Sequence, residues 1–245
     1  MIKRRRSSER PLAVVPRWVL GLLGAAFVVQ LGIAAVRPRP VARAEALPPV
    51  PTLALLRVAA AGEPIATGYA LDLQLQAYDN QPGISIPFAE LDYQRVGQWL
   101  ATLLALDPVS GYPLLMAAQV YSGVPDPARK RLMAELVHEQ FLLDPERRWR
   151  WLAHTAIMVK HQLHDDALAL RYARDIDRLA PTAPGWARQM HIFILEDIGE
   201  LESAKILLGG LLASGQVKDE RELHFLTERL NHLKNAEKPT ASSRK

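Results

Sequence analysis

The sequence predicts an all-α protein in which a single N-terminal transmembrane helix precedes an α-solenoid of helix-turn-helix repeats. The 245-residue chain is rich in Leu, Ala, Arg and Glu and only 7% aromatic, a composition typical of helices. Residues 18–36 are nineteen residues without a charge. Three leucine-led tripeptides that end in proline follow at spacings of 37 and 36 residues: Leu106-Asp107-Pro108, Leu143-Asp144-Pro145 and Leu179-Ala180-Pro181. A fixed period of about 30 to 40 residues is typical of helical repeat arrays.

Charge and cysteine content exclude several classes of protein. The net charge is +4, but residues 1–36 hold six basic residues against one glutamate, so the rest of the chain is close to neutral. The basic balance belongs to the N-terminal end and does not indicate a nucleic-acid-binding domain. The chain has no cysteine, which excludes a disulfide scaffold, thiol catalysis and cysteine-ligated zinc.

The N-terminal end predicts a membrane anchor. A helix over residues 18–36 rises about 1.5 Å per residue and nearly spans a hydrocarbon core of about 30 Å. Six basic residues within residues 1–17 precede it, and Arg37, Arg39 and Arg43 follow it. This bias predicts a cytoplasmic N-terminal segment, residues 1–17, and a periplasmic C-terminal domain on a Gram-negative-type inner membrane.

Two alternatives to the anchor stay open at this stage. Ala44-Glu45-Ala46 has the small-x-small form of a signal-peptide cleavage site, so the apolar run could belong to a cleaved signal. The run could also be a buried helix of a soluble protein.

Residues 37–51 contain five prolines and predict a semi-rigid spacer. The helical domain is expected over residues 52–236. It opens with a short helix from Leu53 to Ala61 and a second helix from Pro64 to about Tyr78. A turn follows, after which residues 84–88 either tuck under the first repeat or form an exposed docking segment.

The repeats carry a recognisable pattern. Counted back from Pro108, the second helix of the first unit has aromatic, small and large apolar residues at Tyr93, Val96, Leu100 and Leu103. Trp151 precedes Ala167 by sixteen residues. Residues 199–204 match a Gly-x-aromatic-x-x-Ala turn, except that Leu201 takes the place of the aromatic residue. Over residues 88–215 the chain therefore resembles the tetratricopeptide-repeat (TPR) family, which implies TPR-like stacked helix pairs.

Several packing details follow from the helical periodicity. Ala167, Leu170 and Ala173 predict a small-residue face on one helix, and Gly209-Gly210 predicts a close-packing point on another. The segment Asp219–Lys234 predicts a C-terminal capping helix. Its apolar stripe consists of Leu223, Leu226, Leu230 and Leu233. Residues 237–245 are expected to be a disordered tail.

The sequence shows no motif of an active site among its histidine, acidic, serine and glycine residues. His154 and His161 are separated by about 10 Å along one helix, too far for both to bind one zinc ion. With His164 and Asp165 they are interpreted as a solvated helix end, and neither a metal nor a cofactor is expected. There is no glycine-rich phosphate loop or nucleophile elbow. Residues 147–151 alternate arginine and tryptophan, interpreted as packed tryptophans among surface arginines and not as a nucleic-acid site.

The resemblance to TPR proteins implies the function. Such proteins hold other proteins on the groove lined by the first helix of each pair. Aligning Trp151 and Ala167 to the motif puts Trp149, Val159 and Lys160 on the groove side. We therefore expect a membrane-anchored interaction scaffold of the cell envelope that binds a protein partner, with no nucleic-acid or small-molecule partner and no enzymatic activity. Two alternatives stay open. Trp149 could be a core residue and not part of a binding face, and the protein could be a helical enzyme or metal-binding protein with an unrecognised site.

Overall fold

The computed structural model describes residues 15–36 and 44–236; the basic residues 1–14, residues 37–43 and the expected tail 237–245 lie outside the described residues. The chain divides into two compact units after Arg43. The first contains helix α1 (Arg17–Val36), which has a mean hydropathy of 2.3 and no buried residue. By length and composition α1 can cross a membrane, as the uncharged run predicts.

Residues 44–51, here called the strap, pack onto the second unit, whereas their proline content predicted a spacer. Leu47 is 4% exposed, and Val50 packs against the same core. Proline lacks a donor, but the backbone carbonyls of such a segment remain acceptors. Three side chains of the domain donate to these carbonyls: Tyr78 to Ala46 at 2.7 Å, Arg95 to Leu47 at 2.6 Å and Trp99 to Pro48 at 2.9 Å.

Helices α2 (Leu53–Ala59) and α3 (Pro64–Gln76) form close to their predicted positions. The Thr52 side chain accepts a hydrogen bond from the Leu55 backbone N–H at 3.3 Å and caps α2. Between the two helices, Ala61 and Gly62 have φ values of 48° and 94°. This left-handed pair ends α2 and turns the chain into α3.

A short hairpin of strands β1 (Asn80–Gln81) and β2 (Ile84–Ser85) follows α3. After it, Ile86 and Phe88 pack against the core, and the Phe88 ring lies 5.6 Å from the Tyr121 ring in an edge-to-face arrangement. The structure thus favours the tucked arrangement of this segment over an exposed docking segment.

The central helices begin and end where the sequence signals them. They are α4 (Tyr93–Leu106), α5 (Tyr112–Leu115), α6 (Pro127–Leu143), α7 (Pro145–Met158) and α8 (Asp166–Leu179). Helix α5 continues through π-helical residues Met116–Val120, and α7 through Val159–Leu163. Helices α4, α6 and α8 end at the leucines of the three tripeptides. Their N-termini are capped by the carboxylates of Asp92, Asp126 and Asp165, which accept from first-turn backbone N–H groups.

The C-terminal part contains α9 (Gly185–Arg188), α10 (Met190–Asp197), α11 (Leu201–Ala213) and α12 (Glu220–Ala236). Leu226 and Leu233 of α12 are buried, and Leu230 packs beside them against α11. Leu223 departs from the predicted stripe, since it is 42% exposed. At about 100° per residue it lies roughly 50° from the centre of the other three leucines, at the edge of the contact.

One further packing prediction was wrong, and another was right in part. A Cβ atom added at Gly209 or Gly210 would meet no atom within 4 Å, so these glycines do not permit a close approach. On the predicted small-residue face of α8, Ala173 is buried and Leu170 packs against the core, whereas Ala167 is exposed.

Helices of the second unit pack mainly against neighbours in the chain, in the order α3, α4, α6, α7, α8, α10, α11 and α12. Four side-chain hydrogen bonds join residues that are 36 or 37 positions apart: Tyr112 with Gln76, Thr182 with Glu146, His138 with Asp175, and Lys160 with Asp197. The period of the tripeptides therefore recurs as the offset between residues that touch.

Candidate functional site

Two tryptophans, one from α7 and one from α9, form the start of a candidate surface. Trp149 in α7 is half-buried, and Trp186 in α9 is 55% exposed. Their ring centroids are 5.6 Å apart at an interplanar angle of 71°, the edge-to-face arrangement that aromatic rings prefer. The Arg150 guanidinium carbon lies 5.9 Å from the Trp149 ring centroid, within range of a cation–π contact.

An ion pair joins the same two stretches of chain further along. Lys160 Nζ is 2.6 Å from Asp197 Oδ2. Lys160 follows Trp149 by eleven residues, and Asp197 follows Trp186 by eleven residues. Eleven residues make about three helical turns, so Trp149 and Lys160 lie on one side of the α7 stretch. Trp186 and Asp197 belong to α9 and α10, which a turn at Gln189 separates. The two contacts occur in the same order along both stretches of chain.

The aromatic surface continues onto the last helix. Phe193 of α10 is half-buried and Phe225 of α12 is 53% exposed, with ring centroids 6.2 Å apart. Phe193 follows Trp186 by seven residues, across the turn at Gln189 that separates α9 from α10. We call these two aromatic pairs, Trp149 with Trp186 and Phe193 with Phe225, the aromatic row.

A second charged contact lies next to the row. Arg229, one turn after Phe225, donates through Nε and Nη2 to the two carboxylate oxygens of Glu196 at 2.8 and 2.7 Å. Such a bidentate pair is directional and holds α12 against α10 in one geometry. The row therefore lies on helices that are fastened to one another by ion pairs.

The structure separates the three residues predicted for the binding face. Trp149 and Lys160 lie on one side of α7, and Lys160 is paired with Asp197. Val159 is fully buried in the central core cluster, so its side chain offers no surface to a partner. Ten residues after Trp149, an ideal helix has already turned Val159 about 80° away from it.

Sequence reasoning missed Trp186, Phe193 and Phe225. One signal could have found Trp186, because it follows Trp149 by 37 residues, the spacing of the first two tripeptides. Phe193 and Phe225 join the row through the docking of α12, which no local pattern specifies.

The arginine and tryptophan segment is largely structural. Arg148, expected at the surface, is buried, and it donates to the Gln140 carbonyl at 2.7 Å, to Gln140 Oε1 at 3.1 Å and to the Pro108 carbonyl at 3.3 Å. Burial lowers the pKa of its guanidinium. Arg148 thus ties the α4–α5 loop to the α6–α7 junction.

A polar cleft is the strongest alternative site. Its volume is about 280 Å³, and it lies between the α9–α10 stretch, α11 and the start of α12. The ionisable side chains in it are paired: Arg188 Nε lies 3.3 Å from Asp177 Oδ1, and Gln189 donates to Glu222 at 2.5 Å. His191 Nδ1 is 2.8 Å from the Arg188 carbonyl oxygen, and burial lowers the pKa of the imidazole. These partners stabilise the junction of the helices and do not form a nucleophile with its base.

The histidines near the end of the α7 stretch lie at the protein surface. His154, His161 and His164 are exposed. Asp165 pairs with Arg131 at 2.6 Å, and that hydrogen bond lowers the pKa of the carboxyl. Across residues 15–36 and 44–236, no group of three or more His, Cys, Asp or Glu side chains is arranged to hold a metal ion.

Comparison with protein-family models, curated proteins and solved structures finds no match for this chain.

Proposed function

We propose that this protein is a membrane-anchored scaffold of the cell envelope that holds a protein segment on the aromatic row. The observation that carries the proposal is the exposure of Trp186 and Phe225 beside half-buried Trp149 and Phe193. Aromatic side chains in partly desolvated clusters concentrate binding energy in protein interfaces. Because the row lies on helices joined by ion pairs, a partner would meet a surface that is already ordered.

The proposal includes a TPR-like α-solenoid as the architecture of residues 52–236. Two observations support it: helices pack on their chain neighbours, and hydrogen bonds recur at offsets of 36 and 37 residues. Four other side-chain hydrogen bonds join residues 32 to 34 positions apart. In a solenoid each unit contacts mainly the next one, so contacts at about one repeat length are expected. Sequence-equivalent helices of successive units then form one continuous surface, and Trp149 and Trp186 occupy equivalent positions on it.

The chemistry of the row favours one kind of partner. Lys160 is neutralised by Asp197 and Arg229 by Glu196. Arg150 beside Trp149 is exposed. A segment with two or three apolar side chains followed by a carboxylate fits this arrangement, because the carboxylate can pair with Arg150 while the apolar groups cover the rings.

The anchor and its orientation belong to the same proposal. We infer a single-pass inner-membrane protein with a cytoplasmic N-terminus and a periplasmic helical domain, from the excess of basic residues before α1. A phosphatase that works only in the periplasm should be active when fused after Lys245, and a fluorophore that matures only in the cytoplasm should be dark there. The opposite pattern would contradict this orientation.

Photo-crosslinking tests the binding surface. A photoreactive amino acid at position 186 or 225 of the full chain in native membranes should crosslink the same partner, through a peptide with apolar and acidic residues. Leu143 and Ile206 are matched controls, because both are exposed apolar residues outside the row, and crosslinkers there should not capture that partner.

A charge reversal completes the test. Arg150→Glu should abolish the crosslinks from positions 186 and 225 while the melting transition is retained. If the partner is captured equally from positions 143 and 206, or if Arg150→Glu has no effect on capture, the aromatic row is not the site.

A further inference from the structure

The first two helices of the domain present apolar side chains to the outside. Val58 of α2 is 77% exposed and Ile65 of α3 is 68% exposed. Leu55, Tyr69 and Leu73 are exposed as well. Both helices pack on α4, and α3 also contacts α5, where the Tyr69 ring lies 5.9 Å from the Tyr112 ring. The exposed parts of these side chains lie outside those contacts. We call the five residues the α2–α3 face.

The spacing of these residues places them in lines along one side of each helix. Ile65, Tyr69 and Leu73 recur every four residues, which makes one stripe along α3, and Leu55 and Val58 are three apart on α2. Between residues 53 and 71 the only charged residues are Arg57 and Glu63. Isolated exposed leucines are ordinary, but a charge-poor apolar stripe indicates a surface that is covered in use.

The chain enters the domain at the hairpin that follows α3. The strap begins at Ala44, and its second residue is fastened to the hairpin after α3: Glu45 N–H donates to Gln81 Oε1 at 2.8 Å, and Gln81 Nε2 donates to the Glu45 carbonyl at 2.9 Å. The strap then leads directly into α2. Only residues 37–43 separate it from the end of α1, and seven residues reach at most about 25 Å when fully extended.

We propose that the α2–α3 face is seated in the interfacial region of the lipid bilayer that α1 crosses. This rests on the membrane anchoring proposed above. A tether of seven residues keeps the entry point of the domain near the bilayer surface, so the bilayer is the apolar phase closest to the face. Helices that lie in this region bury an apolar stripe at the boundary between headgroups and acyl chains.

The composition of the face and tether suits a lipid surface. Tyr69 is an aromatic residue of the kind enriched at membrane interfaces. Arg37, Arg39 and Arg43 lie in the seven residues between α1 and the strap, and basic residues near a membrane surface attract anionic headgroups. Seating the face would therefore hold the helical domain in a fixed orientation to the membrane and present the aromatic row to partners from one direction.

Fluorescent labels on single cysteines test the proposal, since the chain has no cysteine of its own. The full chain is reconstituted into vesicles of phosphatidylcholine and phosphatidylglycerol, with an environment-sensitive NBD label at Val58→Cys or Ile65→Cys. Leu143→Cys and Ile206→Cys are exposed controls elsewhere on the domain, and Val29→Cys reports on α1. Lipids with a spin label close to the headgroup serve as quenchers, and each variant is checked for an unchanged melting transition.

Quenching at positions 58 and 65, with none at 143 and 206, is the expected result. Quenching at position 29 alone overturns the seated face while the anchor stands. No quenching at position 29 contradicts the anchor and the seated face together. Blue-shifted emission at 58 and 65 without lipid quenching shows that a protein surface, such as a second copy of this chain, covers the face. Equal quenching at all domain positions shows general adsorption and also overturns the proposal.

Discussion

Helices α3 and α12 lie near opposite ends of the chain of packed helices, and they differ in what they bury and expose. Helix α12 buries Leu226 and Leu233 and turns charged residues such as Glu228 to the solvent. Helix α3 buries the carboxyl of Asp72 and exposes Ile65 and Tyr69. The outer side of α12 is therefore charged, whereas that of α3 is apolar.

The contrast teaches how each end is stabilised. At α12, burial of leucines provides the stability and the outer side is compatible with water, as expected for the cap of a helical stack. At α3, the apolar side chains of Ile65, Tyr69 and Leu73 stay exposed, so their burial does not stabilise the domain. That end is therefore more stable when an apolar phase covers its outer side.

Asp72 lowers the stability of the α3 end for a second reason. Its Oδ1 is buried and has no hydrogen-bond partner. Burial, together with the nearby charge of Asp107, raises the pKa of the Asp72 carboxyl from 3.8 to about 7. The Asp72 carboxyl therefore loses its proton near neutral pH. The carboxylate that forms is destabilised by its buried surroundings.

The largest expected effect is at α12. Leu226→Ala should lower the free energy of unfolding by about 4 kcal/mol, because Leu226 is fully buried between α11 and α12. Leu223→Ala, the same change at an exposed position of the same helix, should cost less than about 0.5 kcal/mol. Denaturant unfolding of the full chain in detergent micelles measures both. Equal effects would show that α12 does not cap the domain through this side.

A smaller and pH-dependent effect is expected at α3. A carboxyl with a higher pKa in the folded than in the unfolded chain binds its proton more tightly when folded. The unfolding free energy should therefore fall as pH rises from about 4 to above 7, by about 3 kcal/mol. Asp72→Asn should remove this decline and leave the protein more stable than the parent at pH 8. Leu73→Asn, a neutral change beside it, should keep the parental decline, and a flat parental profile would contradict the buried carboxyl.

The smallest effect is expected on the outer side of α3. Ile65→Asn should change the unfolding free energy in micelles by less than about 0.5 kcal/mol, because the side chain is exposed within the domain. Leu75→Asn, on the buried side of the same helix, should destabilise by several kcal/mol since it buries an unpaired amide. Thermal melts of both variants compare the two sides. A large loss for Ile65→Asn would mean that the α3 stripe packs against protein.

Local patterns predicted the helix boundaries well. The ends at Leu106, Leu143 and Leu179 and the cap at Asp92 follow from proline geometry and from carboxylate capping, which act within a few residues. The strap was mispredicted because proline density describes backbone freedom in isolation. Its docking depends on donors from Tyr78, Arg95 and Trp99, which lie about 30 to 50 residues further along the chain.

The candidate site was only partly predictable for the same reason. Trp149 and Lys160 were found, since helical spacing relates residues within one helix. Trp186 and Phe225 belong to other helices, and their approach depends on how α7, α9, α10 and α12 pack. Val159 was assigned to the wrong side because the motif alignment ignored its angular position on the helix.

By itself, the sequence determined that the described chain is helical, that one N-terminal helix is apolar enough to cross a membrane, and that three helices end at leucine-led proline tripeptides spaced 37 and 36 residues apart. These properties depend on backbone sterics, on the length of an apolar segment and on the spacing of residues, all of which can be read from residues close together in the sequence. Only the tertiary structure decided which side of each helix is buried, that the strap docks, that Asp72 is desolvated, and that Trp149 meets Trp186 and Phe193 meets Phe225 across separate helices. These depend on contacts between residues distant in the chain, which the packing of whole helices determines.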